Sequence, residues 1–183
     1  MAIDPTALFS ISYGLYVLTA HDGERDCGCI INSVMQLTET PLRIAVSVNR
    51  KNHTCEAIEK DGRLNLSILS EDAKMDVFTR FGFQSGRDVD KFKELGLTAI
   101  PAQKVKAPLI KECWGHIECT VVGEYLAGAH TMFVGEIVAA SCNEGCFENS
   151  IVLGKDHARL IEFLGGNKYG ILERYEEAPM VKE

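Results

Sequence analysis

Between residues 42 and 49, Leu42, Ile44, Val46 and Val48 alternate with Arg43, Ala45, Ser47 and Asn49, and this period of two constrains the fold more than any other feature. It specifies a β-strand with one buried face and one face of small polar groups. Leu64, Leu66 and Ile68, alternating with Asn65 and Ser67, repeat the pattern. By the same criterion strands are expected at Leu15–Ala20, Gly28–Val34, Leu42–Asn49, Arg63–Leu69, His116–Leu126, Thr131–Ser141 and Ser150–Gly154. Helices are expected at three further places: after Ser70, with Glu71 and Asp72 in the first turn and Gly82 past the end; over Asp88–Leu95, stopped at Gly96; and over His157–Leu164, ending at Gly165 and Gly166. With no linker, repeat or low-complexity tract, residues 1–183 read as one mainly β domain. Short antiparallel strands with a few short helices suit a closed barrel, which leaves no strand edge exposed.

The segment after the alternating strand is chemically specific. Arg50, Lys51, Asn52, His53 and Thr54 lead into an apolar-periodic segment, Cys55–Lys60, whose helix cap is Asn52 or Thr54. A helix start offers free backbone N–H groups, and with a hydroxyl and a lysine beside it the same segment can take an anion such as a phosphate monoester. An ordinary capped helix after a hairpin would read the same way.

Composition narrows the classes. Of the 183 residues 46% are apolar, enough for a substantial core, and the formal net charge is −7. That charge argues against binding nucleic acid or a membrane surface, because both need accumulated Lys and Arg. No apolar run approaches the roughly 20 residues that span a bilayer, and MAIDPTALFS lacks a signal-peptide pattern, so a cytoplasmic protein is expected. The seven cysteines then read as reduced thiols, and neither Cys27-x-Cys29 nor Cys142-x3-Cys146 has zinc-site spacing, so no metal is expected. G-x-G-x-x-G, G-x-x-x-x-G-K-[ST], G-x-S-x-G and H-E-x-x-H are all absent from the sequence. Any nicotinamide would therefore have to bind outside a Rossmann site.

Several segments in one order resemble the flavin reductase-like family: ISYGLYVLTAHDG (11–23), INSVMQLTETP (31–41), KNHT (51–54), RFGFQSGRDVDKF (80–92) and HTMFVGEIVA (130–139). The likeness covers roughly residues 6–154 and is nearest to flavoredoxin and to the flavin domain of high-molecular-weight rubredoxin. It implies an FMN-binding split β-barrel, a Greek-key antiparallel barrel, present as a homodimer with FMN near the subunit interface. By the same resemblance Asn32, Ser33, Val34, Gln36, Leu37 and Thr38 line the isoalloxazine ring, and Ser47, Val48 and Asn49 follow the ribityl chain. Lys51, Asn52, His53 and Thr54 meet the phosphate, while Ser85 and Arg87 approach it from a second loop and Phe83 can cover the ring. Ser47 and Asn49 read equally as solvent-facing strand positions, and Arg87 equally as a partner of Asp88 or Asp90. His130 is the one candidate catalytic residue, as proton donor or as wall of the nicotinamide region. The implied activity is hydride transfer from NADH or NADPH to FMN, with electrons passed to free flavin, ferric iron or a redox protein such as rubredoxin. The alternative is an FMN electron carrier reduced by a protein partner. No rubredoxin iron motif follows Gly154, so any rubredoxin would be a separate protein.

Overall fold

The computed structural model describes residues 3–11, 13–70, 73–93, 98–142, 161–163 and 169–171. A 3-10 turn at Pro5–Ser10, capped by the Asp4 carboxylate, precedes β1 (Tyr16–His21), β2 (Asp26–Ile31), β3 (Val34–Glu39) and β4 (Leu42–Asn49). Helix α1 (His53–Asp61) leads to β5 (Arg63–Ile68), and α2 (Met75–Phe83) is followed by the short β6 (Ala99–Ile100) and β7 (Leu109–Ile110). The long strands β8 (Gly115–Ala127) and β9 (His130–Cys142) come next, and then β10 (Ile161–Phe163) and β11 (Tyr169–Ile171).

Seven strands form one antiparallel sheet in the order β2-β1-β5-β8-β9-β4-β3. Its two ends share one interior: Cys27, Cys29 and Ile31 of β2 lie in the same buried cluster as Ile44, Val46 and Val48 of β4, with Leu18, Leu64, Leu66, Cys119 and Phe133 between. A sheet whose distant strands meet in this way has curled on itself, and the architecture is the expected split β-barrel. Register shifts in the β8–β9 ladder, at Glu118/Cys119 and Val121/Gly123, supply local bends. The barrel wall is tight at Gly135, where an added β-carbon would stand 2.8 Å from Cβ of Cys119.

Helix α1 plugs the interior with Cys55, Ala57 and Ile58 and ends at Gly62, whose φ of +69° suits a residue without a β-carbon. Asn52, rather than Thr54, is the N-cap residue. Helix α2 covers the opposite face of β1 through a second cluster of Val77, Phe78 and Phe81 with Leu15, Val17 and Ile110. The segment 103–110 is strapped to the sheet by buried polar groups. Glu118 accepts backbone N–H bonds from Gln103, Lys104 and Val105, Thr19 donates to the Pro108 carbonyl, and Asn65 donates to the Ala107 carbonyl.

Several expectations need correction. The single strand Gly28–Val34 is two strands, since β2 ends at Ile31 and β3 begins at Val34. The helix after Ser70 starts only at Met75, with Lys74 at its N-cap, while Glu71 and Asp72 lie outside the described residues. No helix forms over Asp88–Lys93: these residues make turns, with Lys91 drawn inward to the carbonyls of Gly28 and Phe81. Within the expected helix His157–Leu164, Ile161–Phe163 is a strand paired with Tyr169–Ile171, while the rest of that helix and Gly165 and Gly166 lie outside the described residues. The expected strand Ser150–Gly154 lies outside the described residues.

Candidate functional site

Strand β4 runs straight into α1, and the junction builds one wall of a cavity of about 200 Å³. Lys51, Asn52, His53 and Thr54 line this wall; Gly28 and Cys29 of β2 line another; Phe81–Gly86 and Lys91 close the third side. The sequence thus brings Phe83 and Ser85 to the Lys51–Thr54 segment from some thirty positions away, because α2 packs across β2 and ends beside the start of α1. Asn49 shapes the junction: its side-chain carbonyl accepts the Lys51 N–H at 2.9 Å, and its backbone carbonyl accepts the Asn52 N–H at 2.9 Å. The N–H groups of His53 and Thr54 occupy the first turn, where an α-helix leaves donors unpaired. No side chain caps them.

Lys91 was not among the residues singled out from the sequence. It is only 4% exposed, and its Nζ donates to the Gly28 carbonyl at 2.8 Å and the Phe81 carbonyl at 3.3 Å. Burial pushes its pKa below the usual lysine value. A cation so enclosed, facing a helix N-terminus across a polar cavity, is the strongest electrostatic feature of the site. Its only trace in the sequence is a lysine set between Val89 and Phe92 in an otherwise polar loop.

A second, mostly apolar cavity of about 270 Å³ is lined by Ile11, Tyr13, Ser33, Val34, Met35, Ala45, Ser47 and Met132. The Ser47 N–H donates to the Ser33 carbonyl at 3.0 Å, which ties the 32–34 segment to β4 four residues before Lys51. Ser33 also donates to the Asn32 side-chain carbonyl at 3.0 Å. One cavity thus holds Ser33, Val34 and Ser47, the other Lys51, Asn52, His53, Thr54, Phe83 and Ser85.

Not every expected residue is enclosed by a cavity. Gln36, Leu37 and Thr38 lie on the exposed edge strand β3 and line neither cavity. The Val48 side chain is completely buried in the core, so only its backbone is left to face a ligand. Phe83 is 72% exposed at the cavity mouth. His130 opens β9 opposite Asn49, half-buried, and lines neither cavity.

His53 and Arg87 are both held by carboxylates. His53 Nε2 lies 2.9 Å from Asp22 Oδ2, and Nδ1 lies 3.4 Å from Glu56 Oε2. The Arg87 guanidinium pairs with Glu56, and not with Asp88 or Asp90, and also donates to the Lys51 carbonyl at 3.1 Å. Asp90 takes Lys93 instead. Backbone N–H groups of Arg25 and Glu24, and then His53, hold the Asp22 carboxyl far below the usual range, so it stays an anion. Burial pushes Cys27 up to about 12 and raises Cys29 as well, which leaves both as thiols rather than nucleophilic thiolates. Among the described residues no group of three or more His, Cys, Asp or Glu could hold a metal ion, and no helix is long and apolar enough to cross a membrane.

The model of the flavin reductase like domain family matches residues 8–162. A ferric-chelate reductase (NAD(P)H) of Archaeoglobus fulgidus is 38% identical over 142 residues, which cover 75% of this chain and 80% of that protein. A high molecular weight rubredoxin of Moorella thermoacetica is 33% identical, over 76% of this chain and 60% of its own length. Among solved structures, a flavoredoxin from Methanosarcina acetivorans superposes with a TM-score of 0.84 at 24% identity, covering 98% of this chain and 95% of that one.

Proposed function

This chain belongs to the flavin reductase like domain family, and from that premise we propose that it binds FMN and carries electrons from NADH or NADPH to an acceptor. The observation that carries the FMN reading is the polar cavity where Lys51, the first turn of α1 and the buried Lys91 converge with Ser85. That donor set suits a phosphate monoester: directional N–H groups and a hydroxyl, with two cations for the charge. The apolar cavity at Ser33, Val34 and Ser47 suits a flat ring with few polar contacts, and β4 joins the two along the line a ribityl chain would follow.

Bound flavin would supply the redox chemistry, accepting a hydride and releasing electrons singly or in pairs. The chain's own part is then to hold and orient. Lys51, Asn52 and Thr54 anchor the phosphate end; Ser47 and Asn49 flank the chain; Asn32, Ser33 and Val34, with Gln36 to Thr38, form the edge near the ring. His130 forms the wall of the nicotinamide region in this reading. The ferric-chelate reductase relative supports ferric iron as one acceptor, and the high molecular weight rubredoxin supports a redox protein such as rubredoxin as another.

We also place FMN near the interface of a homodimer. Supporting this, Met35 and Leu37 of the edge strand and neighbouring Leu42 expose large apolar side chains beside the apolar cavity, which a second subunit would cover.

The first test is the visible spectrum of the purified protein, with chromatography of any pigment released by acid against FMN, FAD and riboflavin. Bound or readily rebound FMN is the expected result. A colourless protein that fails to take up FMN refutes the reading. Anaerobic mixing with NADH or NADPH then separates a reductase, whose flavin bleaches within seconds, from a carrier that needs a protein donor.

A further inference from the structure

His53 stands between two cavities: the one described at α1, and a third of about 310 Å³ lined also by Asp22, Glu24, Glu56, Ala57 and Lys60. Its ring is held from both sides by carboxylates, Asp22 from the β1–β2 turn and Glu56 from α1. Its Cδ2 also packs near Gly86, 3.7 Å from where a β-carbon would stand. Three chain segments therefore meet on one imidazole. The chain of contacts continues from Glu56 to Arg87, from Arg87 to the carbonyl of Lys51, and from the Arg87 carbonyl to Arg25, whose Nε lies 3.8 Å from Asp22 Oδ2. The ring closes back on the residue it started from.

We propose that the His53 side chain is not a phosphate ligand but a positioning residue, a protonation-dependent brace that sets the first turn of α1 and with it the anion cradle. Two carboxylates require two donors, and only imidazolium supplies two N–H groups; a neutral ring turns a lone pair toward one of them. With the proton in place, the β1–β2 turn, α1 and the 85–87 turn are clamped together. When it leaves, the weaker contact, to Glu56 at 3.4 Å, is the one lost. The clamp is complete while both ring nitrogens carry protons and loosens once one proton is lost as pH rises. The charged groups facing His53 or its immediate partners are Asp22, Glu24 and Arg25 from the β1–β2 turn, Glu56 and Lys60 from α1, and Arg87, with Lys51 and Lys91 across the cradle.

The proposal rests on the flavin reading of the cradle, and its test separates the two. Glu56→Gln removes the requirement for two donors, because a glutamine can donate to a neutral Nδ1 or accept from a protonated one. FMN dissociation constants are measured by flavin fluorescence for the natural protein and Glu56→Gln at several values between about pH 5.5 and 8.5, together with the melting temperature of each flavin-free protein. Taking the ratio of the two constants cancels the titration of the FMN phosphate itself. Contacts of this partly exposed kind are weak, so the ratio of natural to variant constant should rise by about threefold to fivefold across the range. The melting temperature of the variant should gain on that of the natural protein over the same range. His53→Gln, neutral throughout, should show no pH dependence relative to Glu56→Gln. A flat ratio with parallel melting curves overturns the brace. If neither protein binds FMN at any pH, the flavin reading fails, and the melting curves alone decide the brace.

Discussion

Replacing Glu118 tests how the segment 103–110 is held to the barrel. The residue is 2% exposed, and its carboxylate accepts the N–H groups of Gln103, Lys104 and Val105 at 2.8, 2.7 and 3.0 Å. In Glu118→Ala these three donors, that of Val105 buried and the other two partly so, lose a charged acceptor together. A hydrogen bond to a charged group contributes roughly 1.5–3 kcal/mol, and three sharing one carboxylate are not additive, so a loss of about 4 kcal/mol is expected. For a chain of this size that corresponds to a fall of roughly 8–16 °C in melting temperature. Glu118→Gln keeps one oxygen, which can still serve Lys104 and Val105, but turns an amide N–H toward that of Gln103; about 2 kcal/mol is expected. Urea unfolding of the flavin-free proteins gives the free energies, and hydrogen exchange at residues 103–105 reports the strap itself. If Glu118→Ala stays within about 1 kcal/mol of the natural protein, the carboxylate does not hold the strap and the reasoning fails.

Three further outcomes are expected. Lys91→Met keeps the apolar stem but removes the enclosed cation, and should weaken FMN binding by about tenfold to a hundredfold in a fluorescence titration; unchanged affinity would remove Lys91 from the site. Gly135→Ala places a β-carbon 2.8 Å from Cβ of Cys119 and should cost about 1–3 kcal/mol of stability by urea denaturation, whereas a neutral result would show that β8 and β9 separate easily there. Burial pushes Cys27, Cys113 and Cys119 up to about 12, so near pH 8 a disulfide reagent should modify the exposed Cys142 quickly and these three only on unfolding. The same shifts fix the sign of the alkaline response. Above the ordinary thiol range the unfolded chain has released protons that the folded one retains, so stability should fall as pH rises.

Much of the barrel was legible because the signals are local. Strand β4 falls on the residues where the alternation places it, and β5, β8 and β9 begin and end within a residue or so of their patterns. Helix α1 announces itself through the apolar-periodic segment Cys55–Lys60 and a cap before it, which the structure places at Asn52. Strand β3 left no such pattern, because as an edge strand it exposes residues on both faces and its sequence does not alternate. The segment after Ser85 misled for the opposite reason. Its spacing suits a helix, but burying Lys91 against two carbonyls draws the chain into turns.

The candidate site divides in the same way. Sequence by itself determined the strand-to-helix junction at Lys51–Thr54, since strand period and helix cap are written in neighbouring residues. Only the tertiary structure decided what faces that junction. Curling the sheet brings β2 and the end of α2 to it, and with them Gly28, Ser85 and Lys91. The same folding delivers Asp22 to His53 and Glu56 to Arg87, so that a histidine and an arginine beside the cradle are occupied by carboxylates. Charge and hydrogen bonding act through space over a few ångströms, and the partners that fix a side chain's role lie far away along the chain.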